Sequence, residues 1–196
     1  MLLDRVDREV DLRLEQKRKG ATLAYRDATM FKVLYGWGLR ANEMCHLDTT
    51  DLLRTPHAPQ FAGMGIVQVR MGKSSSGGAP KRRGVATVHQ WAVDALQDYL
   101  DQVRPLMIKS TRPTNAIFVT ERGTRMKPRD VSERFAYYRN ELKLDDVLTP
   151  HALRHSYATH LAEDGVDPVF IKEHFFFNDT ATTEIYTGVS SDFKNK

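Results

Sequence analysis

The spacing of apolar residues changes type along the chain, and this change limits the folds that the chain can adopt. Leu23, Ala24 and Phe31 recur at helical spacing in "ATLAYRDATMFKVLYGWGLR". From Met64 the runs "GIVQVRMGK" and "RRGVATV" alternate instead, and "SSSGGAPK" joins them as a turn. The helical pattern resumes in "HQWAVDALQDYLDQVRPLM". The sequence therefore predicts an α+β, mainly helical domain with a small antiparallel β-hairpin or sheet.

Three later segments have local signals of their own. In "TPHALRHSYATHLAEDG", we expect Thr149 as the N-cap, Pro150 as the first helical residue and Gly165 as the stop. "DPVFIKEH" begins in the same way with Asp167-Pro168. "AIFVT" is predicted to be a short strand, and the helix "PRDVSERFAYYRNELK" follows it.

The length and composition suit a protein of the cytoplasm. With 41% hydrophobic residues, the 196-residue chain can bury one core. We expect residues 1–20 to be an N-terminal helix or linker remnant and residues 21–196 to be one domain. No apolar run reaches the roughly 18 to 20 residues of a membrane span, and the N-terminus is too charged for a signal peptide. The single cysteine excludes an internal disulfide and a multi-cysteine zinc cluster.

Positive charge is concentrated in the middle of the chain. From Leu52 to Val93 there is no Asp or Glu. The cations of this stretch are Arg54, Arg70, Lys73, Lys81, Arg82 and Arg83. A basic zone without acids favours a polyanionic partner, of which nucleic acid is the commonest in cells. A solvated basic loop is the alternative interpretation.

Arginine and histidine residues occur at spacings that suit phosphate chemistry, which needs guanidinium groups to hold the non-bridging oxygens. Arg40 follows a helix break in "GWGLRANE", and Glu43 lies one turn later, where it can orient the guanidinium. His151 and Arg154 are three apart on a helix, so both can reach one phosphate. A zinc site at His151 and His155 is the alternative, but no Glu follows His151 as in the zinc-protease motif, and we expect no metal.

Four motifs occur together in one order: "GLRANE", a lysine after glycine in the hairpin, "HALRH" and "TTEIYTGV". With them the chain resembles the catalytic domain of the tyrosine recombinases, the family of phage integrases and chromosome dimer resolvases. The resemblance runs from about Ala21 to Val189. It implies site-specific DNA recombination or integration, in which strands are cleaved and rejoined through a 3′-phosphotyrosine intermediate without a cofactor.

The resemblance also implies an assembly. Members act on double-stranded DNA, and a full-length member forms a homotetramer on paired sites, which would place the protein with the nucleoid. Members normally carry an N-terminal core-binding domain and a tail beyond the tyrosine. We therefore expect this chain to be a fragment that lacks both.

The resemblance assigns roles to individual residues. It makes Arg40 and Arg154 the pair that grips the scissile phosphate, Glu43 the support of Arg40, and His151 the acid/base histidine. It makes Tyr186 the nucleophile. A phenol with a pKa of about 10 attacks poorly at neutral pH, so it needs a base and a strong positive field at the phosphate.

The hairpin supplies the remaining roles. Lys73 matches the general acid that protonates the leaving 5′-oxygen, and Lys81 is its rival because the hairpin tip is long. We expect the other hairpin cations to contact DNA together with Lys81, namely Arg70, Arg82 and Arg83.

One position departs from the family pattern. Nine residues before the tyrosine, members have histidine or tryptophan, and this chain has Phe177. Phenylalanine has no donor for a phosphate oxygen, and loss of such a donor costs about 10² to 10³ in rate. The runner-up prediction is therefore a catalytically impaired DNA-binding fragment, and a metal-dependent hydrolase that uses the histidines is a third.

The segment "FFFNDTATTEIYT" has a second explanation. It looks like the translation of a poly-T run followed by a sequencing-adapter oligonucleotide. An assembly error would then have replaced the genuine residues around Phe175 to Thr180.

Overall fold

The fold is mainly helical, with one small sheet, as the sequence predicts. A computed structural model describes residues 1–17, 19–54, 61, 64–70, 82–109, 111 and 113–175, apart from the side chains of residues 172–174. The α-helices in these ranges are α1 (Leu2–Glu15), α2 (Ala21–Gly36), α3 (Ala41–Cys45), α4 (Gln90–Asp98), α5 (Arg104–Met107), α6 (Pro128–Glu141), α7 (His151–Glu163) and α8 (Pro168–Phe175). None of the helices described is long and apolar enough to cross a membrane.

The sheet contains the predicted hairpin and one further strand. Its order is β1 (Leu52–Leu53), β2 (Ile66–Val69) and β3 (Arg83–Ala86), and both pairings are antiparallel. Val69 lies opposite Arg83 at the end of the β2–β3 ladder. Two residues are too few to produce a strand pattern, so β1 could not be predicted.

Helix α2 is the centre of the core. Met30, Phe31, Val33 and Leu34 are fully buried, and α1, α4 and α7 pack against this helix. A smaller apolar cluster joins α7 to α8 through Tyr157, Leu161, Ile171 and Phe175. Helix α7 is therefore held from both sides, and its first turn carries two of the candidate site residues.

The predicted strand "AIFVT" was wrong. Ala116 and Val119 form only isolated bridges, to Asp48 and Arg125, with bends between them. The backbone of this segment bonds to loops instead, as in the 3.0 Å bond from the Ile117 N–H to the Leu47 carbonyl. Its residues are apolar because they are buried, and burial alone does not distinguish a strand from a buried connection.

Two helix predictions differ in detail. Helix α7 begins at His151 with Pro150 as its N-cap, one residue later than predicted from Thr149. The long helix predicted after His89 is interrupted by a π-helical segment, Tyr99–Val103. Pro105 follows this segment and has no N–H for a helical bond, which explains why the regular pattern breaks here. The predicted helix around Tyr186 lies outside the described residues.

Candidate active site

The site is built at the turn between α2 and α3. Gly38 has a φ of +59°, a conformation that favours glycine, and it redirects the chain after α2. Arg40 is then the N-cap of α3, and its backbone N–H donates to Oε2 of Glu43 at 2.9 Å. This capping arrangement fixes the carboxylate at the start of a short helix.

Glu43 is the centre of a cluster of arginines, which we call the Glu43 cluster: Glu43, Arg40, Arg83 and Arg154. The Arg40 guanidinium donates to Oε1 of Glu43 at 2.9 Å, and that of Arg83 donates to Oε2 at 3.0 Å. Nη1 of Arg154 lies 4.0 Å from Oε2. Three elements distant in sequence, α3, β3 and α7, therefore place positive charge around one carboxylate.

The cluster is buried except on one side. The exposed fraction of the side chain is 1% for Glu43 and Arg154, 6% for Arg83 and 28% for Arg40. Three cations face one anion, so the cluster has an excess of positive charge. Arg40 is the most exposed member of the cluster, so it presents this positive charge at the surface.

The arginines determine the protonation state of Glu43. Burial by itself raises the pKa of this carboxyl, but the charge of Arg83, the hydrogen bond from the Arg40 backbone, and the charges of Arg154 and Arg40 outweigh it and lower the pKa. Glu43 is therefore ionised at neutral pH. Burial lowers the pKa of Arg83, and Glu43 opposes that shift.

Arg154 is covered by the end of α8. Its Nη1 donates to the Gly38 carbonyl and its Nη2 to the Phe175 carbonyl. The guanidinium also lies over the Phe175 ring, with 4.6 Å between Cζ and the ring centroid. A Cβ atom on residue 38 would lie 2.4 Å from Cε1 of that ring, so the close approach requires glycine.

His151 lies in the first turn of α7, with its side chain exposed. The His155 ring lies perpendicular to it, with 4.5 Å between centroids. Partial desolvation, then His155, Arg154 and Arg40, lower the pKa of His151 to about 4, although Glu43 opposes this shift. The imidazole is therefore neutral at pH 7 and able to accept a proton.

The predicted hairpin cations separate into different environments. Arg70 forms ion pairs with Asp48 at 2.6 Å and Asp51 at 2.8 Å, and it also donates to the His46 carbonyl. Arg82 is exposed just before β3, whereas Arg83 belongs to the Glu43 cluster. Lys73, Lys81, Phe177 and Tyr186 lie outside the described residues.

The position of Arg83 was missed, although the sequence contains a signal for it. Residues of β3 alternate between buried and exposed, and Arg83 lies on the buried face with Val85. Its place in an apolar alternation indicated an inward side chain, but its charge was interpreted as a sign of exposure.

A metal centre has no support in the part of the chain that the structure describes. There, no group of three or more His, Cys, Asp or Glu residues is arranged to hold an ion. His151 and His155 are adjacent but have no third ligand in these ranges.

Comparison with known proteins agrees with this geometry. The sequence profile described as "Phage integrase family" matches residues 5–192. The chain belongs to the phage integrase family. It is 32% identical over 166 residues to tyrosine recombinase XerD of Staphylococcus epidermidis, covering 85% of this chain and 51% of that protein. It is 35% identical over 167 residues to tyrosine recombinase XerC of Alcanivorax borkumensis, covering 84% and 48%.

Solved structures of recombinases share the fold. The crystal structure of XerA recombinase matches with a TM-score of 0.66 and 27% identity, covering 94% of this chain and 58% of that one. XerH site-specific recombinase, in a post-cleavage complex with its palindromic difH substrate, matches with a TM-score of 0.69 and 20% identity, covering 97% and 49%. This phage integrase family member spans about half the length of the curated relatives it matches.

Proposed function

We propose that the protein is the catalytic domain of a tyrosine-type site-specific recombinase, which cleaves and rejoins double-stranded DNA. The observation that carries this proposal is the Glu43 cluster beside His151: three guanidiniums around one buried carboxylate, with a neutral imidazole one helical turn from Arg154. Excess positive charge with little access to water is suited to the oxygens of a phosphodiester.

Arg40 and Arg154 are the proposed ligands of the two non-bridging oxygens. Negative charge builds on those oxygens as a fifth oxygen approaches phosphorus, and fixed guanidiniums stabilise that charge without reorganising. Glu43 holds Arg40 in place through two hydrogen bonds. Arg154 reaches the phosphate once Phe175 moves off its guanidinium.

The proposed reaction is a transesterification. The Tyr186 oxygen attacks phosphorus, the bond from phosphorus to the 5′-oxygen breaks, and a 3′-phosphotyrosine forms. The phenolic proton passes to a base, for which His151 is the proposed residue, and the 5′-oxygen takes a proton from an acid, either Lys73 or the alternative candidate Lys81. One phosphodiester is exchanged for another, so a 5′-hydroxyl can reverse the step without ATP.

DNA is the proposed partner, and its support is twofold. The relatives XerD and XerC are tyrosine recombinases, and Arg82, just before β3, is exposed. We further propose that the full-length protein assembles as a homotetramer on paired sites and acts in the cytoplasm, with the nucleoid.

Covalent capture tests the function. The protein is incubated with a pool of nicked duplexes, in which the cleaved end diffuses away and the protein stays attached. We expect an adduct that resists denaturation, persists with chelator and is lost in Tyr186→Phe. Absence of an adduct in the chain as it stands, in Phe177→His and in Phe177→His combined with Phe175→Leu would refute cleavage. Adduct that requires a divalent cation would favour the metal-dependent hydrolase.

A second candidate, a DNA-binding fragment with impaired cleavage, is favoured by one observation. Arg154 is covered by the Phe175 ring and engaged by two carbonyls, and Phe177 has no donor. In this case the protein binds duplex DNA without an adduct, and Phe177→His combined with Phe175→Leu restores capture. Resequencing the source locus separates a genuine segment from an assembly error, because only a genuine one shows the phenylalanine codons in a clean read.

A further inference from the structure

Arg83 occupies an unusual position for a hairpin cation. It is the first residue of β3 and lies opposite Val69, the last residue of β2. Its side chain is buried, and its guanidinium donates to Oε2 of Glu43 at 3.0 Å. Burying a guanidinium costs several kcal/mol unless it is paired and hydrogen-bonded, and the contact with Glu43 offsets part of that cost.

The two oxygens of Glu43 have different partners. Oε1 accepts from the Arg40 guanidinium, whereas Oε2 accepts from both the Arg40 backbone and Arg83. Arg83 therefore restrains the rotation of the carboxylate about its last bond. When the carboxylate is restrained, the direction in which Oε1 presents itself to Arg40 is restrained as well.

The same contact attaches the sheet to α3. The Val69–Arg83 pair is the last of the β2–β3 ladder before residues 71–81, the segment that carries Lys73 and Lys81. The bond from Arg83 to Glu43 ties this end of the ladder to the residue that orients Arg40.

We infer that Arg83 is a positioning residue for the proposed cleavage reaction: it holds Glu43, and through it Arg40, and it ties the described end of the β2–β3 ladder to Glu43. The inference rests on the proposed function. It assigns to Arg83 a role other than direct contact with the DNA backbone.

Kinetics and binding separate the two roles. We expect Arg83→Gln to slow adduct formation at saturating DNA by about 10- to 100-fold, because a displaced Arg40 misplaces the phosphate. The salt dependence of DNA binding should not change. A salt slope lowered by about 0.9 would instead identify a direct phosphate contact and overturn the inference. An unchanged rate in a protein that forms adduct would overturn it as well.

Two further variants control for folding and for charge. Arg129→Gln removes an arginine that is 87% exposed on α6 and should change neither the rate of adduct formation nor the salt dependence of DNA binding. Arg83→Lys keeps the charge but replaces the planar guanidinium fork by a compact ammonium, so we expect an intermediate rate. If Arg83→Gln does not fold, the rate of adduct formation is measured in Arg83→Lys instead. A rate equal to that of the unaltered protein would then refute the positioning role of Arg83.

A spectroscopic measurement decides the inference even without cleavage. The side-chain Nε–H resonance of Arg40 reports the environment of its guanidinium in the free protein. We expect Arg83→Gln to shift or broaden this signal while Arg129→Gln leaves it unchanged, with the backbone spectrum as the control for folding. An unchanged Arg40 signal would overturn the inference. If no variant forms adduct, the proposed function fails and this signal still tests the role of Arg83.

Discussion

Replacing Glu43 by glutamine removes the only negative charge of the Glu43 cluster while keeping its shape. Two guanidiniums bond to the carboxylate at 2.9 and 3.0 Å and a third lies at 4.0 Å. At an effective dielectric constant of about 20, each close pair gains about 6 kcal/mol of Coulomb energy, most of which offsets desolvation. We expect Glu43→Gln to lower the free energy of unfolding by about 3 to 5 kcal/mol at pH 7, as for other broken buried pairs.

The effect should depend on pH in a definite direction. The pKa of Glu43 is lowered in the folded protein, so its contribution is complete above the ordinary carboxyl range. As the pH falls through the folded-state pKa, the carboxyl takes up a proton and the contribution disappears. The difference between the two proteins should therefore be largest at pH 7 and shrink below about pH 4.

Urea unfolding followed by circular dichroism measures the loss of unfolding free energy and its change with pH. The comparison requires that the unfolding free energy depend on urea concentration with a similar slope in the two proteins. Glu133→Gln is the matched control, since Glu133 pairs with Arg129 at 2.7 Å on the surface of α6 and is 60% exposed. The control should cost no more than about 0.5 kcal/mol. A loss below about 1 kcal/mol for Glu43→Gln, or a gap that stays constant into acid, would refute an ionised, triply paired Glu43.

Three other predictions concern single positions. Gly38→Ala should destabilise the protein by about 2 to 4 kcal/mol in urea unfolding, because a positive φ and a 2.4 Å approach to Phe175 add together. Gly165→Ala, with a φ of +78° and no neighbouring atom of the described residues within 4 Å of the added Cβ, should cost only about 1 to 2 kcal/mol, and equal losses would contradict the steric account. The His151 ring should titrate with a pKa of about 4 by NMR in the DNA-free protein, and a midpoint near 6.5 would contradict the crowding by cations. Arg82→Gln should lower the salt slope of DNA binding by about 0.9, and an unchanged slope would exclude a backbone contact there.

Local patterns were enough to predict most elements of the fold. Periods of 3.6 and 2 residues predicted α2 and the β2–β3 pair, and a proline at a helix start predicted α8. The prediction of a strand at residues 116–119 was wrong because the segment is buried but forms only isolated bridges. Its hydrogen bonds go to loops that only the tertiary structure brings close.

The site could be predicted only in part. Arg70 and Arg83 pair with acids that are distant in sequence, so local sequence does not show which cations are neutralised. Residues 52–93 lack acids, which favours an open cationic surface. In the structure, Arg70 pairs with Asp48 and Asp51, and Arg83 pairs with Glu43. These acids precede the basic stretch in the sequence, and the fold brings them into contact with its arginines. The roles of Arg40, His151 and Arg154 remain predictions, which the variants above can test.

The Glu43 cluster draws on α3, β3 and α7, which come from three distant parts of the chain. Contacts between distant parts form late in folding because long loops must close first. A nascent or partly folded chain can display the exposed Arg82 but cannot assemble the paired guanidiniums. On the proposed function, such a chain has a cation that can attract DNA but lacks the arranged guanidiniums that cleavage requires. The proposed cleavage therefore becomes possible only when these three parts of the chain have packed together.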